Sequence, residues 1–193
     1  MRLPALSPAG YVLCTIVDYE EALLMDRIAP CLWFDHQAEE AATFYVSIFK
    51  NSKIIAVSRY TRAGIETHQR PAGSVMTVEF ELDGQRFTAL NGGPVFTFNE
   101  AVSLQVLCNT QQDIDYYWDT LSQGGDPNAQ MCGWLKDRYG VSWQVTPRMM
   151  SDLFKDHTSG KAERAMEAML RMKKINIAEL ERATADEPAG RRS

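Results

Sequence analysis

Two short stretches of alternating residues place polar side chains where a small molecule could meet them. Ser103 and Gln105 alternate with Val102, Leu104 and Val106, and Ser142, Gln144 and Thr146 alternate with Trp143 and Val145. Successive side chains of a strand point to opposite faces, so each polar set shares one face and the apolar set is left to meet a helix. Hydroxyls and amides so placed can orient an organic ligand inside apolar walls. Trp33, Trp134 and Trp143 offer flat surfaces for stacking, Asn91 opens the turn NGGP (residues 91–94), and Cys132 precedes Gly133 and Trp134. The ligand-pocket candidates are therefore Trp33, Asn91, Ser103, Gln105, Cys132, Trp134, Ser142, Trp143 and Gln144. The alternative for each is plain packing, with buried indoles in the core and polar groups satisfying one another.

No catalytic residue can be assigned from these types. Cys132 has no histidine nearby in sequence to activate it and reads as a buried, inert thiol. Lys136 and Asp137 flank a turn and read as a solvated ion pair. His36 sits at a helix start, His68 in a polar loop and His157 beyond the core, which makes three unrelated surface residues rather than a metal site. Cys14, Cys31, Cys108 and Cys132 form no CxxC and match no zinc-ribbon spacing. Reduced thiols in a cytoplasm are the expectation.

The chain has 193 residues, 45% hydrophobic and 23% charged, with a net charge of −5. That mix supports a globular core and excludes wholesale disorder. The acidic balance speaks against nucleic acid or a membrane surface as partner, since both attract a basic field. No apolar run reaches the 18 or more residues of a membrane span. Residues 9–17 are apolar, but acidic residues follow at once and no small-residue cleavage site is present, so no signal peptide is expected.

The elements that must position the candidates follow from changes of period. Residues 28–34 read as a strand. Asp35 then offers an N-cap, and Ala38, Ala41, Ala42, Tyr45, Ile48 and Phe49 recur with the helical period. Residues 54–60 read as a strand, residues 62–73 as a polar loop, and residues 76–82 and 85–90 as a hairpin about Asp83-Gly84. The plan then recurs: a strand at 102–106, a helix capped by Asn109-Thr110 and stopped by Gly124-Gly125, and a hairpin of residues 131–136 and 141–146. Beyond Pro147 the chain turns helical, with a stripe of Ala162, Ala165, Met166, Met169 and Leu170 and a capping box from Asn176 to Glu179. The fold class is α+β: two tandem βαβββ modules forming a cupped mixed sheet around one cavity, with outer helices and C-terminal helices. The divisions are an N-terminal extension (1–26), modules at 27–98 and 99–147, a helical extension (148–184) and a flexible tail (185–193).

Six stretches carry a family resemblance: residues 30–35 (PCLWFD), 73–80 (GSVMTVEF), 89–94 (ALNGGP), 98–101 (FNEA), 132–137 (CGWLKD) and 140–144 (GVSWQ). In this order they resemble the PhnB-like proteins of the vicinal oxygen chelate superfamily, a group often labelled 3-demethylubiquinone-9 3-methyltransferase. The resemblance covers about residues 27–182. It implies a cupped sheet that usually holds a divalent metal through four inward side chains, and subunits that often pair.

Those four positions fall near Pro30, near residues 88–90, near Val102 or Ser103, and at Gln144. Only Gln144 offers a ligand atom of any strength, so no cofactor is expected and a divalent metal is disfavoured. Neither glycine pair leads from a strand into a helix, which leaves no nucleotide-type site for a methyl donor. The expected function is binding of a small organic ligand in the cup, by a homodimer whose second module and C-terminal helices close it. The alternatives are a metal-dependent lyase, isomerase or dioxygenase with an atypical site, and a partner-binding module acting through the C-terminal helices.

Overall fold

A computed structural model describes residues 28–156 and 158–185. The readings made for residues 1–26, for Cys14 and His157, and for the tail beyond residue 185 lie outside the described residues. The first module runs β1 (Cys31–Phe34), α1 (Ala38–Ile48), β2 (Lys53–Arg59), the single turn α2 (Ile65–His68), β3 (Val75–Leu82) and β4 (Gln85–Asn91). The second runs β5 (Leu104–Cys108), α3 (Gln111–Leu121), a 3-10 turn at Pro127–Ala129, β6 (Trp134–Lys136) and β7 (Ser142–Pro147). Helices α4 (Met149–Lys155), α5 (Lys161–Met169) and α6 (Ile177–Thr184) follow.

The sheets share a plan. In the first the order is β1-β4-β3-β2, with β1 parallel to β4 and the other pairs antiparallel. In the second it is β5-β7-β6, with β5 parallel to β7. The second module thus has one strand fewer than the βαβββ pattern. After α3, residues 123–130 contain two glycines and a proline and no alternation, and Asp126 caps a 3-10 turn there instead of opening a strand. Asp83 and Gly84 both take positive φ, 47° and 84°, as a two-residue hairpin turn requires.

Helix α1 lies on β3 and β4. Its alanines Ala38, Ala41 and Ala42 are fully buried and let the helix approach Val78, Phe80 and Ala89 closely. Asp35 is not its cap. The Ala38 N–H donates to Asn91 Oδ1 at 2.8 Å, so the cap comes from the end of β4, while Asp35 pairs with Arg70 and His36. Helix α3 has the expected local cap: Thr110 and Asp113 form a reciprocal capping box.

The modules meet through aromatic side chains. Tyr45 of α1 and Phe49, just past its end, pack against Trp143 of β7, with ring centroids 5.4 and 5.5 Å apart, and Phe49 stacks on Tyr117 of α3. The C-terminal helices fold back on the second sheet. Cys132 and Gly133 donate backbone N–H bonds to the Met172 and Lys173 carbonyls at 2.8 Å. Ile175 and Leu180 are fully buried in the chain's own core, so this part of the C-terminal segment offers no apolar surface to a second subunit. Met166 and Leu170 stay exposed.

Candidate functional site

The pairing of β5, β6 and β7 decides which side chains share a surface. Gln105 lies opposite Gln144, Leu107 opposite Thr146, Trp134 opposite Gln144 and Lys136 opposite Ser142. Alternation puts all of these on the sheet face away from α3. The other face carries Leu104, Val106, Leu135, Trp143 and Val145, which pack beneath the helices.

This outward face is the floor of a cavity of 640 Å³, within the usual range for small-molecule sites. Gln105, Leu107, Trp134, Gln144 and Thr146 form the floor, and Met150 and Phe154 of α4 with Met169 of α5 wall it. The sequence reading has one cavity enclosed by both sheets. In the structure the wall comes instead from the C-terminal helices, and a separate cleft of 680 Å³ lies between the modules, bordered by Pro30, Phe49 and Phe87 on one side and Leu104 and Gln105 on the other. A third cavity, of 480 Å³, adjoins the first. It shares Cys132, Trp134 and Met169 with it and adds Ser142, Lys136 and Leu170.

The two amides of the floor belong to a connected, neutral network that extends to Ser103 at the cleft between the modules. Gln144 Nε2 donates to Ser103 Oγ at 2.7 Å, and Gln105 Nε2 donates to Gln144 Oε1 at 3.2 Å. Ser142 Oγ is buried with no hydrogen-bond partner among the described residues, beside the adjoining cavity. Cys132 is half-buried rather than buried and lines both cavities. Six of the nine expected residues, Ser103, Gln105, Cys132, Trp134, Ser142 and Gln144, therefore gather around one sheet surface.

The other three serve the framework. Asn91 caps α1 and its Nδ2 donates to the Val75 carbonyl at 3.1 Å, so both ends of the amide are used. Trp143 is 2% exposed, on the opposite face of β7. Trp33 lies over the turn after β4, donating Nε1–H to the Gly93 carbonyl at 2.8 Å. A Cβ at Gly92 would stand 2.1 Å from its ring, so this approach requires glycine.

Lys136 and Asp137 are not an ion pair. Lys136 pairs with Glu100, across the loop that joins the modules. Asp137 is 2% exposed and accepts from Tyr45 Oη (2.7 Å), Trp143 Nε1 (2.8 Å) and the backbone N–H groups of Tyr139 (2.8 Å) and Val141 (3.0 Å). Burial raises its carboxyl from the ordinary value, against the pull of those four donors. The helix residues that wall the cavity were missed because spacing along the chain does not show which helix returns to which face. Arg148 was missed too, although it directly follows the strand that supplies the floor.

A divalent metal does not fit the four positions the family fold suggests. Pro30 has no side-chain donor, residues 88–90 supply only the Thr88 hydroxyl, and Ser103 and Gln144 are already bonded to each other. Among the described residues no group of three or more His, Cys, Asp or Glu side chains is placed to hold an ion. Among them, too, no helix is long and apolar enough to cross a membrane.

Comparison with known proteins gives the family and the fold. The model of the 3-demethylubiquinone-9 3-methyltransferase family matches residues 26–146. The solved PhnB protein of Bacillus cereus, which carries the same label, is 37% identical, and the match covers 63% of this chain and 99% of that one with a TM-score of 0.54. A Staphylococcus aureus protein is 28% identical over 61% of this chain and 92% of its own, with a TM-score of 0.26. No curated protein matches the sequence. With its glyoxalase-like pair of sheets and a family match that spans most of the described core, the chain belongs to the 3-demethylubiquinone-9 3-methyltransferase family, the PhnB-like proteins.

Proposed function

We propose that the protein binds a small organic ligand in the 640 Å³ cavity on its second sheet, without the divalent metal usual in the superfamily. The observation that carries this reading is the neutral network of Ser103, Gln144 and Gln105 beside Trp134. Its two amides can exchange their mutual hydrogen bonds for bonds to a ligand, while Trp134, Phe154 and Met169 cover an apolar body. The methyltransferase label finds no support in the framework. Among the described residues no glycine-rich turn leads from a strand into a helix, so the turn that usually seats the ribose of a nucleoside-type methyl donor has no counterpart among them.

Native mass spectrometry and metal analysis of the purified full chain test the reading together. The expected result is a small-molecule adduct with metal well below one equivalent, and loss of the adduct in Gln144→Leu. Stoichiometric zinc, nickel or iron that disappears in Gln144→Ala would overturn it in favour of a metal-dependent lyase, isomerase or dioxygenase.

A homodimer belongs to the same proposal. Its support is the first sheet, where every residue of β2 is exposed and Ile54, Ile55 and Val57 stand at a sheet edge that no described residue pairs. Light scattering at micromolar concentration should give twice 21.8 kDa. A monomer at all concentrations would remove the dimer and leave the cavity reading intact.

A further inference from the structure

Among the described residues, a single charged side chain lines the cavity on the second sheet. Arg148 stands at its edge, and the remaining lining is made of amides, hydroxyls, sulfur groups and apolar side chains. Its backbone is fixed, because the Arg148 N–H donates to the Cys108 carbonyl at 2.9 Å and ties the ends of β5 and β7 together. Its guanidinium has no ion pair or hydrogen bond with any described residue. Several other cations of the second module and the C-terminal helices do have partners: Lys136 with Glu100, Lys155 with Asp152, Arg171 with Glu167, and Lys174 with Asp115 and Asp119. Arg148 also borders the cleft between the modules, where the opposite charge is Asp83, and no ion pair joins them.

A lone, permanently charged fork at the edge of a neutral cavity selects for charge as well as shape. Guanidinium presents parallel N–H donors that match the two oxygens of a carboxylate. The chain as a whole carries −5, so its overall field does not gather anions and the selection must be local. One cation balances one negative charge, which favours a monocarboxylate over a phosphate dianion. Trp134 and Phe154 supply surface for a flat or aliphatic body, and the Gln144 and Gln105 amides can meet a further oxygen. Resting on the ligand-binding reading above, we infer that the ligand is an organic monocarboxylate, its carboxylate on Arg148 and its apolar body against Trp134.

Titration calorimetry of the full chain with 2-naphthoate and its neutral counterpart 2-naphthamide tests this. The acid should bind about ten-fold more tightly than the amide, the size expected of a charge-assisted pair at a solvent-accessible edge. Arg148→Gln should erase the preference while leaving amide affinity within about two-fold, and Arg148→Lys should retain part of it. 2-Naphthyl phosphate should bind no better than the acid. Equal affinity for acid and amide in the wild type, or a preference that survives in Arg148→Gln, would overturn the inference. If the amide binds and is lost in Trp134→Leu while the acid gains nothing, the anion assignment falls and the cavity reading stands. If neither compound binds, both fall.

Discussion

Tyr45 donates its hydroxyl to Asp137 Oδ2 at 2.7 Å across 92 residues of sequence, joining the helix of the first module to the hairpin of the second. The same oxygen accepts from Trp143 Nε1, and Oδ1 takes two backbone N–H groups of the turn. A buried carboxylate with four donors holds the hairpin whose outer face is the cavity floor. Removing the acceptor leaves all four donors unpaired in the core. Asp137→Ala should therefore cost about 3 kcal/mol or more, and Tyr45→Phe about 1–2 kcal/mol. Urea unfolding of the three proteins reads both. A midpoint for Asp137→Ala equal to that of Tyr45→Phe would show that the network is no more than one hydrogen bond.

The same carboxyl makes a prediction about pH. Its folded-state pKa is raised by burial, so between the usual carboxylate value of 3.8 and that raised value the native state holds a proton that the unfolded chain has lost. The resulting stabilisation is fully present below 3.8 and disappears as pH rises through the folded value. Asp137→Asn has no such titration. The stability difference between wild type and Asp137→Asn should shift in the wild type's favour as pH falls from 7 towards 4. A difference that is flat with pH, or moves the other way, would contradict the assigned direction.

What could be read from the sequence depended on how local the cause was. Alternation along two strands was enough to gather Ser103, Gln105, Ser142 and Gln144 on one face, because strand geometry needs no knowledge of the rest of the fold. The cap of α3 at Thr110, bonded three residues on to Asp113, was equally visible as a cap, though its reciprocal bond was not. The cap that Asn91 gives α1 is a bond that spans 53 residues, and no local pattern shows it. Asp137 was read as solvated because turn residues usually are, and nothing near it in sequence announces Tyr45. The walls of the cavity come from helices whose docking is set by Cys132 and Gly133 meeting the carbonyls of Met172 and Lys173, again a pairing without a sequence period.

The thiols should separate in reactivity. Burial, with Asp113 nearby, pushes Cys108 up to about 11, and burial also raises Cys31. Cys132 is half-buried at the meeting of two cavities. The thiolate is the nucleophile, so iodoacetamide at pH 8 should leave Cys108 unmodified in the native protein while labelling Cys132. Peptide mapping by mass spectrometry assigns each site. Cys108 labelled as fast as Cys132 would mean that β5 opens far more readily than its burial suggests.

Two glycines allow clash and backbone strain to be compared. A Cβ at Gly125 would lie 1.9 Å from the Lys136 carbonyl oxygen, and that atom is backbone in the three-residue strand β6, with little freedom to give way. At Gly140 a Cβ would meet nothing within 4 Å, but φ is +85°, a region that alanine enters only with strain. Gly140→Ala should therefore cost about 1–2 kcal/mol and leave the cavity intact. Gly125→Ala should cost more, about 3 kcal/mol, because β6 must shift away from the loop that ends α3. That shift would move Trp134, which is on the same short strand and on the cavity floor. Its signature is a changed tryptophan emission in Gly125→Ala but not in Gly140→Ala, together with the larger fall in urea midpoint. If Gly140→Ala proves the more damaging, backbone strain at the hairpin outweighs the contact between the α3 loop and β6, and the packing of that edge of the cavity is looser than its distances imply.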